Sequence, residues 1–325
     1  MVEIISKECV DILPLSAEPI ASWESKSDLQ ILLIEMYKLG GYSLYGVHLF
    51  EEGLKRWEKM LAEFQDNASK AIPSPAAGKH AEPVPDLRND SYFGLMAKYS
   101  IAWDGADGAV LSESAFFSLA HVLEAGTDLE ASILLASNLY YRQALQMLRN
   151  YLEGLVLQLY FCNNRSDFEK WKAGSYKVPP LRGKDGLLEN LQSKGVLPPD
   201  LSKLASDMYG DLNSSIHGTE RRLVHAGLFE GKWAGQMFTY ERFKEWCEYF
   251  ARCVYFGIHA LRLSTNLWDN KRPRDRIYCD ICHNENVAEF KIDKSRLNEG
   301  IVSFTCRRCG SERRFSGEWA TRQGY

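Results

Sequence analysis

The chain has 325 residues, 45% of them hydrophobic and 25% charged, with a net charge of −4. These proportions suit one large or two smaller globular domains that bury their own core without covalent staples. No run reaches the roughly 18 apolar residues that a membrane helix needs, and the start, MVEIISKECVDILPLS, has no secretory pattern, so the expectation is a cytoplasmic protein with no membrane partner.

Residues 27–65 read as helix, capped by Ser27 or Asp28, with Leu29, Leu32, Leu33, Met36 and Tyr37 at helical spacing and an interruption at Gly40 and Gly41. Residues 1–65 are therefore expected to form an N-terminal helical segment. Residues 66–92 are rich in Pro, Ala and charge, and read as a linker or mobile loop.

Residues 93–270 read as a helical bundle. The stretch SESAFFSLAHVLEAG predicts a helix closed by Gly126. Residues 128–161 predict one long helix, in which Tyr141, Leu145, Leu148, Leu152, Leu155 and Leu159 form a single apolar stripe. Arg142, Gln146, Arg149 and Glu153 form a polar stripe beside it. A further helix opens at Pro198-Pro199-Asp200, with Tyr209, Asn213 and His217 beside its own apolar positions. If these two helices are neighbours, Arg149, Glu153, Asn213 and His217 can surround one small polar pocket. Arg221, Arg222 and His225 follow in HGTERRLVH. The last long helix, YERFKEWCEYFARCVYFGIHALRLSTNLW, is apolar nearly all round. It belongs at the centre of the bundle or at the interface of a homodimer.

Four of the eight cysteines are scattered, at Cys9, Cys162, Cys247 and Cys253, and read as free, buried thiols. The other four form a CxxC…CxxC set: Cys279, Cys282, Cys306 and Cys309. Each pair can aim two sulfurs at one ion from a single turn. Two pairs complete a tetrahedral site with no open position, the pattern of one structural Zn2+. VAEFKID and GIVSFTC read as hairpin strands, and Gly310 follows the second pair where a tight turn needs it. Residues 271–325 are thus expected to be a zinc ribbon.

The ribbon segment carries twelve Lys and Arg against eight Asp and Glu, so it is +4 while the remainder is −8. An acidic body with a basic tail points to the tail as the contact for a polyanion. Arg307, Arg308, Arg313 and Arg314 flank the second cysteine pair. Tyr278, Phe304, Phe315 and Trp319 lie close in sequence, either to stack bases or to pack the ribbon.

The order YRQALQMLRNYLEGLVL, a variable loop, LNSSIHG and a further helix resembles the HEPN group of helical-bundle proteins over roughly residues 112–265. That resemblance implies a dimer within a bacterial antiviral or toxin–antitoxin type of system and, in active members, metal-independent RNA cleavage by an Arg…His motif. Here Arg221 precedes His225 by four positions, closer than that motif, and His217 has no arginine at the proper distance upstream. The chemistry would need His217 or His225 as base and Arg149, Arg221 or Arg222 as the cation that holds phosphorane charge. No P-loop, dinucleotide-binding glycine pattern, HExxH or GxSxG occurs. The expectation is a mainly α protein, a helical bundle with a small C-terminal β zinc ribbon. It is expected to act as a non-catalytic nucleic-acid-binding or adaptor protein with a possible protein partner, and the alternative is a HEPN-like ribonuclease.

Overall fold

The apolar stripe that begins at Tyr141 decides the architecture, because every member of it is buried to 1% exposure or less. The computed structural model describes residues 59–71, 77, 80–113, 120–216, 223, 227–229, 231–233, 235–265, 282, 290–296 and 300–316. The protein is mainly α with a small β element. In chain order the helices are α1 (59–70), α2 (Ser91–Glu113), α3 (Ala120–Ser137), α4 (Tyr141–Asn163), α5 (Arg165–Lys172), α6 (Leu187–Ser193), α7 (Pro199–Ile216) and α8 (Tyr240–Thr265). A hairpin of two-residue strands, β1 (Leu228–Phe229) and β2 (Lys232–Trp233), precedes α8. The C-terminal part holds β3 (Phe290–Asp293), β4 (Ile301–Cys306) and β5 (Glu312–Ser316) in an antiparallel sheet of order β3-β4-β5. The helices and this sheet form two separate compact units.

In the helical unit α4 is the hub, packing against α3, α6, α7 and α8. Its Gly154 and the Gly257 of α8 carry no side chain. A Cβ at Gly257 would overlap the Tyr151 hydroxyl and stand 2.8 Å from Leu155 Cδ1, so glycine is what lets α8 lie this close to α4. Trp246 of α8 donates its ring N–H to Ser132 Oγ at 3.0 Å, and Ser132 donates in turn to the Ala144 carbonyl at 3.0 Å. This buried chain ties α8, α3 and α4 together, and each of its polar atoms has a partner.

The single helix expected over 128–161 is two. The chain turns at Asn138–Tyr140, where Leu139 takes a φ of 66°. The Leu139 N–H donates to the Ala136 carbonyl at 2.9 Å and the Tyr140 N–H to the Leu135 carbonyl at 2.9 Å, the bonding of a Schellman helix end. Leucine stands where glycine is usual, at a cost of about 1 kcal/mol, offset by burial to 4% exposure. Conversely, α3 runs straight through Gly126, which closes nothing.

The segment expected to be a linker is anchored at several points where it is described, with Ala68, Ala77, Leu87 and Asp90 buried. Helix α1 extends to residue 70, and Phe64 and Ala68 are buried. Gln65 donates to the Pro85 carbonyl at 3.0 Å and accepts from the Leu87 N–H at 2.9 Å. Glu82 accepts from the Tyr240 N–H at 2.7 Å. Asp90 caps α2 by accepting from the Phe93 N–H at 2.8 Å, and its second oxygen accepts from the Tyr240 hydroxyl at 2.7 Å. Sequence patterning did not reveal α2, which is buried along most of its length, Lys98 included, and so shows no amphipathic contrast. The expected helix over 27–58 lies outside the described residues.

Helix α8 is buried nearly all round, as its composition required: Trp246, Phe250, Val254, Phe256, Ile258 and Leu261 are fully buried. The chain itself covers that surface, so the helix gives no argument for a second copy. Cys247 and Cys253 are buried within it, and burial pushes the Cys253 thiol up to about 12. Cys162, expected to be buried, is exposed at the last turn of α4, where Gln158 donates to its sulfur at 3.2 Å. No helix among the described residues is long and apolar enough to cross a membrane.

Candidate metal centre and basic knuckle

In the C-terminal sheet, β4 alternates strictly: Val302, Phe304 and Cys306 are buried, while Ile301, Ser303 and Thr305 are half-exposed. Phe304 is therefore core and is not free to stack on a base. At the end of β4 the chain makes a knuckle. The Gly310 N–H donates to the Cys306 carbonyl at 2.8 Å, and the Cys306 N–H donates to the Ser311 carbonyl at 2.8 Å. Gly310 closes the turn with a φ of 77°, a conformation that glycine adopts at little cost.

This turn brings Cys306 and Cys309 together, and Cys282 joins them. The three sulfurs lie within 4.8 Å of one another, and the Cys282 and Cys306 sulfurs are 3.7 Å apart. That is far beyond a disulfide bond of about 2.0 Å. It matches the edge of a tetrahedron of thiolates around zinc, about 3.8 Å for bonds of about 2.3 Å. Cys309 Sγ is also 3.1 Å from Ser311 Oγ, a hydroxyl placed to steady a ligating thiolate. The three cysteines could hold a metal ion, and their geometry fits one. Cys279 lies outside the described residues.

Arg307 and Arg308 sit in the knuckle between the two cysteines, and both are exposed. Neither is paired with a carboxylate among the described residues. Arg314 on β5 is exposed but donates from Nε to Glu312 on its own strand at 3.0 Å. Arg313 lies in β5 opposite Phe304 in the register. Tyr278 and Trp319 lie outside the described residues.

In the helical unit, α4 and α7 do pack together, and two of the expected pocket residues meet. Arg149 donates from one guanidinium nitrogen to Glu153 at 2.9 Å and to the Tyr209 hydroxyl at 2.9 Å, and the guanidinium carbon stands 5.1 Å from the Tyr209 ring centre. Asn213 is half-buried one turn further along α7 and makes no hydrogen bond to either of them among the described residues. His217, Arg221, Arg222 and His225 lie outside the described residues.

A cleft that sequence patterning did not reveal lies beside this pair, lined by His121, Glu124 and Asp128 of α3 and by Asn150 and Glu153 of α4. His121, Glu124 and Asp128 step by three and four residues, so helical spacing would have put them on one face. Their position inside a stretch read for its apolar residues hid them. Burial, reinforced by the Glu124 charge, pushes the Asp128 carboxyl up to about 6. Burial holds the His121 imidazole below its usual range, against the opposing effects of Glu124 and a Gln158 hydrogen bond.

No family model, no curated protein and no solved structure matches this chain.

Proposed function

We propose that this protein is a non-catalytic nucleic-acid-binding adaptor whose contact surface is the arginine-bearing knuckle of a zinc ribbon. The observation that carries the reading is the placement of Arg307 and Arg308. Both are exposed, neither has an acidic partner among the described residues, and both are held between two cysteines that fit a metal site. Guanidinium groups grip phosphate oxygens bidentately, and a turn fixed by a metal presents them already ordered. With Cys279 as the fourth thiolate, the spacing of the two pairs favours zinc and leaves no coordination position for substrate. The metal would organise the ribbon and take no part in chemistry.

The non-catalytic reading draws support from Arg149. Its charge is matched by Glu153 and its guanidinium is occupied by Tyr209, so it is a strut between α4 and α7 and not a cation waiting for a phosphorane. The resemblance of the helical body to the HEPN group then suggests a scaffold within a larger antiviral or toxin–antitoxin type of assembly.

The test is fluorescence anisotropy of labelled single-stranded RNA and duplex DNA with the full chain across a series of salt concentrations. Arg307→Ala/Arg308→Ala should weaken binding and lower the log–log salt slope by roughly 0.7–0.9 for each phosphate that the variant no longer neutralises. Unchanged affinity and slope would overturn the knuckle as the contact. Metal-independent RNA cleavage that is abolished in His217→Ala would replace this reading with the ribonuclease.

A further inference from the structure

The helical unit has a basic surface of its own. From Arg165 at the start of α5 to Lys194 just past α6, the chain carries seven Lys and Arg against four Asp and Glu, a net charge of +3 within a body that sums to −8. Two of the seven are matched inside α5, Lys170 by Asp167 at 3.1 Å and Lys172 by Glu169 at 2.9 Å. Arg182 and Lys184, in the loop before α6, are exposed and in no ion pair among the described residues. They line a cleft of about 740 Å³ between that loop, α6 and α7, within the range of ligand sites. Two carboxylates line it as well, and both are engaged. Glu189 accepts from the Asp185 N–H at 2.7 Å, and Asp207 holds Lys203 at 2.6 Å. Arg182 and Lys184 are therefore the unmatched charges of this cleft.

A second feature points to an anion. Arg182 is held in place with nothing to hold. A Cβ at Gly210 of α7 would overlap Arg182 Nη1 and stand 3.4 Å from its Cζ. Glycine inside a helix weakens it, and here the space is filled by a guanidinium that lies on α7 with no acceptor among the described residues. The arginine that only braces this fold, Arg149, is paired with Glu153. The loop is fixed too. The Gly186 N–H donates to the Gly183 carbonyl and the Leu187 N–H to the Pro180 carbonyl, both at 3.0 Å, while Asp185 holds a φ of 63°. Backbone strain of that kind gathers at ligand clamps. Pro199, Ser202 and Ser206 bring the first turns of α7 to the same cleft, adding hydroxyl donors and the positive end of a helix dipole.

We infer that this cleft binds the phosphates of a single nucleic-acid strand, with Arg182 gripping one phosphate through two nitrogens and Lys184 acting as a point charge on the next. A concave basic groove follows one backbone, whereas a duplex presents its phosphates on a convex surface. Leu188 and Pro199 are the only apolar side chains in the lining, too few to anchor an acidic peptide. The inference rests on the proposed nucleic-acid reading for the class of ligand. Its residues lie in the helical unit, which is separate from the ribbon, so each contact can be removed by itself.

Fluorescence anisotropy of labelled oligouridylate with the full chain tests it. Arg182→Ala/Lys184→Ala should weaken binding about tenfold or more, as removal of charge-assisted hydrogen bonds does. The log–log salt slope should fall by about 0.7 for each phosphate that is no longer neutralised. Both side chains are exposed, and an unchanged circular-dichroism melt would show that the variant is folded. The failures of the two readings separate. If this variant binds like wild type while Arg307→Ala/Arg308→Ala binds weakly, the cleft is overturned and the knuckle stands. If the reverse holds, the cleft stands and the knuckle falls. If wild type binds no strand, both fall. In the Arg307→Ala/Arg308→Ala background, unlabelled duplex DNA, polyglutamate and uridine monophosphate, each at equal negative charge, should compete less well than the unlabelled strand. A competitor that equals the strand would overturn the inference by assigning the cleft to a duplex, an acidic protein or a free phosphate compound.

Discussion

Arg149 of α4 donates to the hydroxyl of Tyr209 on α7 across 2.9 Å while its charge is held by Glu153, also at 2.9 Å. One guanidinium thus joins two helices and satisfies a carboxylate on its own helix. The arginine side chain is 20% exposed, so part of its desolvation is recovered only through these partners. Tyr209→Phe should cost about 1 kcal/mol of unfolding free energy, and Arg149→Met about 1–3 kcal/mol, measured by urea denaturation. A double-mutant cycle should return a coupling of about 1 kcal/mol. Additive effects would show that the contact carries no energy.

The three described cysteines predict the metal content. Protein purified without chelator should carry one zinc per chain by elemental analysis, and Cys306→Ser/Cys309→Ser should carry none. Because the helices form a unit separate from the ribbon, removal of the metal should leave the helical circular-dichroism signal nearly intact while residues around β4 lose amide-exchange protection. Full retention of zinc in the double variant would disprove the ligand set.

Gly257 predicts a packing cost. A methyl group there overlaps the Tyr151 hydroxyl and crowds Leu155. Alanine gains about 1 kcal/mol of helix propensity over glycine, but overpacking costs about 1–3 kcal/mol. Gly257→Ala should therefore lower the melting temperature despite its better propensity. A combined Tyr151→Phe/Gly257→Ala variant should recover part of the loss, since it removes the atom that is struck first.

Asp128 predicts a pH dependence. Its carboxyl titrates near 6 in the folded protein against 3.8 in the unfolded chain. The folded state therefore holds the proton longer, and this group's contribution to stability falls as pH rises from about 4 to about 6. Asp128→Asn removes that loss. At neutral pH the variant should be more stable than wild type by about 1 kcal/mol, the modest figure expected where water screens a half-exposed group. The difference should shrink as pH falls below 6 and vanish below about pH 3, where the Asp128 carboxyl is protonated in both the folded and the unfolded chain. A gain of equal size at acid pH would mean that the effect is not one of charge.

Where local chemistry and fold agree, the amino-acid pattern was enough. The stripe from Tyr141 to Leu159 is buried because its spacing admits one helical face. The apolar circumference of α8 could only be satisfied by burial on every side. The CxxC spacing, with a glycine after it, specified a knuckle whatever surrounds it. Other features arise only when distant segments pack. The break between α3 and α4 falls at a leucine, with no glycine or proline to mark it, because burial of Leu139 offsets a left-handed backbone. Periodicity cannot register such an exchange. The segment with Glu82 and Asp90 looked like a linker because its anchors are hydrogen bonds to residues outside it, from Gln65 to Tyr240. The acidic cleft needed α3, α4 and a loop to meet before Glu124, Asp128 and His121 acquired a shared environment. Burial and mutual charge shift a carboxyl group only after the chain has folded around it.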